Sequence, residues 1–119
     1  EWPFAARGGV KGGAWWGNGN AEGRANCRSG CKSKFSNFFT GKSAPVGTYL
    51  ANPYGLFDTA GNVSEWVAGC HSNTTPCQRA HKGGSMRDTA KSLAVRALEK
   101  TSHDYKDKTV GFRLAVVLE

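Results

Sequence analysis

The chain has 119 residues and a formal net charge of +7, with 16 Lys and Arg against 9 Asp and Glu. This length fits one small domain and leaves no room for two. The basic residues are scattered singly and no nucleic-acid-binding motif accompanies them, which argues against a nucleic-acid-binding function. No apolar run approaches the ~20 residues that span a bilayer, so any membrane contact is expected only through a larger assembly.

Glycine is abundant. The chain has 16 Gly, about twice the number that an average composition would give. Together with the long stretches that lack periodicity, this predicts a loop-rich domain. Such domains have modest cores and usually need disulfides, metal ions or partners for stability.

The predicted elements begin with a short helix. Residues 2–7 are typical of a helix end, and Gly8-Gly9 provides its stop. Residues 8–43 are rich in Gly, Asn, Ser and Lys, which predicts a long irregular segment. We expect aromatic side chains to anchor this segment by burying area between the loops. They are Trp15, Trp16, Phe35, Phe38 and Phe39.

The second half of the chain predicts short strands. Residues 44–49 form a candidate strand, followed by a Pro/Gly turn over 52–57. Val63 and Trp66 are expected to be buried, and residues 93–98 favour a strand over a short helix. At the end of the chain, apolar residues alternate with the pattern of a half-buried strand over 110–118. These residues are Val110, Phe112, Leu114, Val116 and Leu118. The expected fold class is therefore α+β, with short strands and large loops.

The cysteines number four, Cys27, Cys31, Cys70 and Cys77. Their C-x3-C and C-x6-C spacings lie in polar loops and favour two disulfides over free thiols or a metal site. The shortest loops to close are Cys27–Cys31 and Cys70–Cys77, although the sequence leaves the pairing open. Disulfides imply an oxidising compartment, such as the periplasm, the cell surface or the exterior.

Several segments, read in order, carry a family resemblance. The chain resembles the formylglycine-generating-enzyme, or sulfatase-modifying-factor, family at residues 1–9, 44–49, 52–66, 82–85 and 111–115. The resemblance implies a variant of the C-type lectin fold with little regular secondary structure. It also implies that residues 1–119 form a single but partial domain. The part of the family fold that precedes the first helix would be absent, replaced or supplied by another chain.

The resemblance also locates the family's catalytic cysteines. In the catalytic enzymes, two cysteines that follow the K/R-G-G-S segment bind copper, and thiolates suit monovalent copper. Residues 86–96 contain no cysteine, and Asp88 and Leu93 stand at roughly the matching positions. We therefore expect no copper and no formylglycine generation. A second branch of the family uses three iron-binding histidines, but His71, His81 and His103 lack metal-ligand spacing.

A calcium-binding turn is the chemical feature of the family that this sequence retains. The resemblance implies that the ligands are the Asp58 side chain, the carbonyls of Gly61 and Val63, and the Glu65 side chain. Calcium prefers such hard oxygen ligands, and residues 43–76 contain no Lys or Arg to pair with these acids. The alternative is that both carboxylates are solvated or accept hydrogen bonds from N–H groups.

The leading hypothesis is a non-catalytic, calcium-stabilised and disulfide-braced domain that serves as an accessory subunit or protein-interaction module. A protein partner would be acidic, or would supply the missing part of the fold. The expected binding surface carries Arg87, Lys91, Arg96, Lys100, Lys106 and Lys108. Two alternatives remain open: a variable ligand-display domain of the same fold, and a fragment of a metal-dependent oxidase whose ligands lie outside this chain.

Overall fold

A computed structural model of the protein describes residues 1–116 and 118. It contains helix α1 (Trp2–Arg7), a 3₁₀ helix (Ala90–Leu93) and four short strands. The strands are β1 (Ser64–Val67), β2 (Arg79–Lys82), β3 (Leu98–Thr101) and β4 (Val110–Gly111). Loops make up the rest, which confirms the expected loop-rich α+β fold. In this described part, no helix has the length and apolar character needed to cross a membrane.

The strands form one mixed sheet with the order β3-β2-β1-β4. β1 and β3 both run antiparallel to β2, so that His81 of β2 lies between Trp66 and Glu99 in the register. β4 runs parallel to β1, with Ser64 opposite Val110 and Glu65 opposite Gly111. The sheet therefore brings the end of the chain beside the turn that precedes β1.

Helix α1 ends where its sequence predicts, before Gly8. Pro3 lies in the first turn, where its missing N–H has no helical partner to lose. Gly8 follows the helix with φ 60°, and a Cβ there would lie 2.6 Å from Pro53 Cδ. The Asn52 side-chain amide donates to the carbonyls of Ala5 at 2.7 Å and Ala6 at 3.1 Å. Asn52 thus satisfies helix-end carbonyls that would otherwise lack partners.

The core is built mainly from small side chains. Its central cluster contains Ala21, Ala25, Cys27, Cys31, Ala60 and Leu93, and Trp15 and Trp16 pack against it. The Cys27–Cys31 disulfide lies inside this cluster. The predicted anchoring by aromatic side chains is thus confirmed at Trp15 and Trp16. It is wrong at Phe38 and Phe39, which are exposed and contact each other edge to face.

Two buried asparagines join loops that regular structure does not connect. The Asn62 side chain accepts a hydrogen bond from Ala44 N at 2.8 Å and one from the Asn26 side chain at 3.2 Å. The Asn62 backbone N–H donates to the Asn26 carbonyl at 2.8 Å, and its carbonyl accepts from Met86 N at 2.7 Å. These bonds hold loops from four parts of the chain together, because buried polar groups need partners.

Two predicted strands are absent from the described structure. Residues 44–49 form a loop, and residues 93–98 contain the end of the 3₁₀ helix, a turn and, at Leu98, only the first residue of β3. Lys82 Nζ donates to the carbonyls of Val95 at 2.9 Å and Ala97 at 3.4 Å. These carbonyls thus accept hydrogen bonds from a lysine side chain instead of from a neighbouring strand. The prediction of buried Val63 and Trp66 is also wrong, since both are half-buried while Ser64 and Glu65 are buried.

The predicted strand over 110–118 is limited to Val110–Gly111. Beyond it, Phe112, Leu114, Val116 and Leu118 are 76%, 85%, 80% and 90% exposed, and Val117 lies outside the described residues. The prediction of a half-buried strand is therefore wrong for the described part of this segment. β4 pairs with only two residues of β1. The apolar alternation past Gly111 thus has no neighbouring strand in the described structure to cover it.

Candidate functional site

The turn that leads into β1 has an unusual backbone. Asp58, Gly61 and Asn62 have φ values of 57°, 75° and 65°, and such left-handed conformations disfavour most side chains. Gly61 N donates to Gly83 O at 2.8 Å, and a Cβ at Gly61 would lie 2.5 Å from Asn26 O. Glycine is therefore required at Gly61, both by φ and by the close approach of the neighbouring loop.

Asp58 has one satisfied and one orphaned carboxylate oxygen. Its Oδ2 accepts a hydrogen bond from Gly47 N at 2.9 Å, whereas Oδ1 is buried without a hydrogen-bond partner. A buried carboxylate oxygen without a partner is costly, and such a group calls for a cation, a water or a donor. Asp58, Val63 and Glu65 line one pocket of about 330 Å³, whereas Gly61 is buried and does not line it.

Glu65 is occupied differently. Its Oε2 accepts from Trp2 Nε1 at 2.8 Å and from Arg113 Nε at 3.0 Å, and its Oε1 accepts from the Arg113 terminal nitrogen Nη2 at 2.6 Å. The same Nη2 donates to Phe57 O at 2.7 Å. The hydrogen bond with Glu65 raises the pKa of Arg113 above its already high range. A guanidinium therefore already balances the charge of this buried carboxylate.

The oxygen atoms of this turn are of the chemical type that calcium binds, but only some of them are free of hydrogen-bond donors. The orphaned Asp58 Oδ1 is a hard oxygen donor of the kind that calcium binds, as are the carbonyl oxygens of Gly61 and Val63 in the same stretch of chain. The Glu65 oxygens already accept hydrogen bonds from Arg113 and Trp2, so a metal would have to share that carboxylate. When bound, calcium would supply a fixed positive charge that neutralises Asp58.

The positions that match the family's copper cysteines have other tasks here. Asp88 Oδ2 accepts hydrogen bonds from Ser85 N at 2.7 Å and Ser85 Oγ at 3.2 Å, so the carboxylate closes a local turn. Leu93 is fully buried in the core cluster. Neither position offers a sulfur ligand.

The four cysteines divide into two kinds. Cys27 and Cys31 form a disulfide, which closes the shorter of the two expected loops. Cys70 and Cys77 are thiols in the structure, instead of the expected second bridge. Both lie in the loop between β1 and β2, where Cys70 Sγ donates to Ser72 O at 3.2 Å. The Cys77 hydrogen bond lowers the pKa of Cys70, and the same contact raises the pKa of Cys77. A bridge between them stays a prediction.

The three histidines lie in separate environments. The His71 ring contacts Ala68 O at 3.2 Å, and His103 is exposed. His81 is buried between the rings of Trp66 and Tyr105. Within residues 1–116 and 118, no group of three His, Cys, Asp or Glu side chains is placed to hold a metal ion.

The predicted basic surface reaches more than one pocket. All six of its residues are exposed, but Lys91 and Arg96 line different pockets, of about 390 and 520 Å³. The pocket of Arg96 also contains Arg7 and Lys11, which the sequence analysis did not select. Arg7 and Lys11 are far from Arg96 in sequence, so no local pattern indicates that the three line one pocket; only the folded chain brings them together.

Comparison with known proteins identifies the family. The sequence profile described as "Sulfatase-modifying factor enzyme 1-like domain" matches residues 1–118. The chain belongs to this family. It is 37% identical over 125 residues to the "Inactive C-alpha-formylglycine-generating enzyme 2" of Bos taurus, covering 97% of the chain and 41% of that protein. It is 32% identical over 138 residues to the "Formylglycine-generating enzyme" of Streptomyces coelicolor, covering 97% and 44%.

Solved structures of this family type confirm the predicted fold. "Treponema denticola variable protein 1" superposes with a TM-score of 0.73 at 29% identity, and CarF with a TM-score of 0.74 at 27% identity. Each match covers 94% of this chain and 43% of the other chain. The chain therefore spans about two fifths of the length of these four proteins.

Proposed function

We propose that the chain is a non-catalytic, calcium-stabilised domain of the family, which acts as an accessory subunit or protein-interaction module. The observation that carries this proposal is the chemistry at Asp88 and Leu93. A monovalent copper ion requires soft thiolate ligands, whereas one position holds a hydrogen-bonded carboxylate and the other a core aliphatic side chain. The sequence similarity to relatives named as inactive also supports it.

The remaining sulfur atoms do not replace the missing ligands. Cys27 and Cys31 are consumed by their disulfide, and a disulfide has no thiolate to coordinate a metal. Cys70 and Cys77 lie in the loop that joins β1 to β2, whereas Asp88 and Leu93 follow β2. The Cys27–Cys31 disulfide further supports an oxidising location, which we propose is periplasmic, cell-surface or secreted.

A protein partner is supported by the uncovered apolar residues that follow β4. Phe112, Leu114 and Val116 are exposed in succession on alternate positions, which is unusual for a surface in contact with water. We propose that a strand of another protein segment pairs along residues 112–116 and covers these side chains, extending the sheet beyond β4. Acidic side chains on that partner would complement the exposed Lys and Arg residues of this chain.

The catalytic part of the proposal is tested by incubating the 119-residue chain with monovalent copper, oxygen and a cysteine-containing sulfatase peptide. The Streptomyces coelicolor enzyme serves as the positive control. We expect no loss of the peptide thiol and no aldehyde by mass spectrometry. Formation of the aldehyde by the chain, above a blank with copper alone, would overturn the non-catalytic assignment.

A second candidate is a ligand-display domain, which the similarity to the Treponema variable protein favours. In that case, residues 86–108 would tolerate extensive substitution while the domain keeps its fold. A library of surface substitutions in this range distinguishes the two functions. Retained folding together with newly acquired ligand binding supports display, whereas widespread unfolding excludes it.

A further inference from the structure

We propose that the pocket lined by Arg7, Lys11 and Arg96 binds a small oxyanion group, namely a phosphoryl or sulfuryl group, either free or carried as an ester. The pocket has a volume of about 520 Å³ and lies between the end of α1, the glycine-rich loop that follows it and the segment after the 3₁₀ helix. Its other lining residues are Val10, Gly12, Gly13 and Asn18. This inference concerns a site that is separate from the calcium turn and from the copper positions.

The charge of the pocket is entirely positive. Its lining contains no Asp or Glu, and among the described residues none of its three cations forms an ion pair. The positive charge also affects Lys82, whose pKa is lowered by burial and, in addition, by the charge of Arg7. Clustered like charges without a counter-ion repel one another. A bound anion would remove that repulsion.

Backbone hydrogen bonds fix the three cationic segments to one another. Val10 N donates to Arg7 O at 3.1 Å, which ties the helix end to the loop. Val95 N donates to Gly13 O at 2.7 Å, which places Arg96 against the same loop. A preformed arrangement of this kind reduces the ordering cost of binding.

The loop itself is tightly closed. Gly12 has φ 122°, and a Cβ there would lie 2.8 Å from the Gly17 backbone. Gly13 N donates to Asn18 Oδ1 at 2.8 Å, and Ala14 and Gly17 exchange backbone hydrogen bonds of 3.1 and 2.9 Å. The floor of the pocket is therefore held by contacts that do not depend on a ligand.

The donors suit an oxyanion. Arg7 Nη1 donates to Gly12 O at 2.8 Å, which orients the guanidinium and leaves its other N–H groups available, since arginine has five donors. Arginine matches the geometry of phosphate and similar oxyanions with paired hydrogen bonds, and lysine adds a point charge. Two arginines and one lysine thus supply the combination that such a group requires.

A neighbouring pocket indicates how the rest of a ligand would lie. This second pocket, of about 390 Å³, shares Gly13 and Asn18 with the first and includes Trp16 in its wall. An ester whose charged group lies among the cations can therefore extend its uncharged part toward the Trp16 ring. Contact with that ring would favour a flat or apolar substituent.

The experiment is a titration of the 119-residue chain with inorganic phosphate, inorganic sulfate and phenyl phosphate, each at constant ionic strength maintained with chloride. Tryptophan fluorescence and amide chemical shifts are the readouts. We expect saturable binding, with shifts at Gly12 and Gly13. Tighter binding of phenyl phosphate than of inorganic phosphate assigns the ligand as an ester, and equal binding assigns it as the free ion.

Matched variants locate the site. Lys11→Gln and Arg96→Gln each remove one exposed charge from the pocket, and we expect each to weaken phosphate binding by about tenfold, as for the loss of a charged hydrogen bond. Lys100→Gln removes the same charge from β3, outside the pocket lining, and should leave binding unchanged. Equal weakening by all three variants, non-saturable shifts, or acetate binding as tight as phosphate would overturn the proposal.

Discussion

Arg113 and Glu65 lie 48 positions apart in sequence and form a bidentate ion pair, with contacts of 3.0 Å from Nε to Oε2 and 2.6 Å from Nη2 to Oε1. Their side chains are 33% and 7% exposed, so the pair is better shielded from water than a surface salt bridge. It joins β1 to the segment that follows β4. The pair therefore holds the parallel edge of the sheet, where only two residues of each strand are in register.

Replacement of Arg113 should destabilise the domain. Arg113→Ala leaves the buried Glu65 carboxylate with only the Trp2 N–H as its partner, and loss of hydrogen bonds to a charged group costs about 1.5–3 kcal/mol. The measurement is the free energy of unfolding in urea. Arg96→Ala is the matched control, because Arg96 is exposed and its loss should change stability by less than about 0.5 kcal/mol. Equal effects of the two variants would contradict the assigned role of the pair.

Calcium should raise the melting temperature of the chelator-treated chain. At a hundredfold excess over the dissociation constant, a single site would add about 2.7 kcal/mol to the free energy of unfolding. Magnesium is the control ion, since it demands a more regular octahedral shell. The check is calorimetric unfolding with each ion in turn. An unchanged melting temperature in calcium would remove the metal from the proposed function.

Asp58→Asn separates the contribution of the metal from that of the fold. Asparagine tolerates the positive φ of 57° at this position and retains an oxygen for the Gly47 N–H. The variant loses one negative charge. Because a calcium site with fewer charged ligands binds the ion more weakly, we expect calcium binding to weaken by about tenfold or more. The stability without calcium should change little. Unaltered calcium affinity in this variant would place the ion elsewhere.

Gly61→Ala should be far more damaging than Gly55→Ala. Both glycines have positive φ, 75° and 80°, but a Cβ at Gly61 would lie 2.5 Å from Asn26 O, whereas one at Gly55 would meet nothing within 4 Å. The Gly55 variant therefore isolates the backbone cost of about 1–2 kcal/mol. The Gly61 variant adds a clash with buried backbone and should unfold at markedly lower denaturant concentration. Similar midpoints would show that the neighbouring loop can move aside.

Alkylation should distinguish the two cysteine pairs and reveal the order of reaction. Without reductant, iodoacetamide should modify Cys70 and Cys77 but not the bridged Cys27 and Cys31. Because the pKa of Cys70 is lowered and that of Cys77 is raised, Cys70 has the larger thiolate fraction and should react first, at lower pH. Peptide mass mapping across a pH series measures this order.

Cys77→Ala provides the control for this effect. It removes the hydrogen bond that is the largest cause of the lowered pKa of Cys70, so the pH profile of Cys70 should move toward that of an ordinary thiol. A protein in which neither cysteine reacts until reductant is added would instead contain the second disulfide that the C-x6-C spacing predicted.

Local features were predictable from the sequence. The helix over residues 2–7 and its glycine stop follow from neighbouring residues alone, as does the short Cys27–Cys31 loop. The alternation over 110–118 was misleading, because a period of two indicates which side chains share a face and does not supply a neighbouring strand. The strand predicted over 93–98 does not form before Leu98, where the side chain of Lys82, distant in sequence, donates to the carbonyls of Val95 and Ala97.

The sites depended on folding for a different reason. The family resemblance located Asp58 and Glu65 in one short segment of the chain. It did not indicate Arg113, which lies 48 positions from Glu65 and donates hydrogen bonds to its carboxylate. The basic pocket combines Arg7 and Lys11 with Arg96. No periodic pattern in the sequence relates the first two residues to the third. Charge counts along the chain measure composition, whereas a pocket requires the tertiary arrangement of loops.

The buried Asn26–Asn62 pair has a consequence for biosynthesis. It joins loops that carry Ala44 and Met86. The contact between Glu65 and Arg113 completes the connections beside this pair. During synthesis, these connections cannot be completed until Arg113 has been translated. Such non-local connections slow folding. Until then, the loops that precede Arg113 would stay accessible to chaperones and proteases.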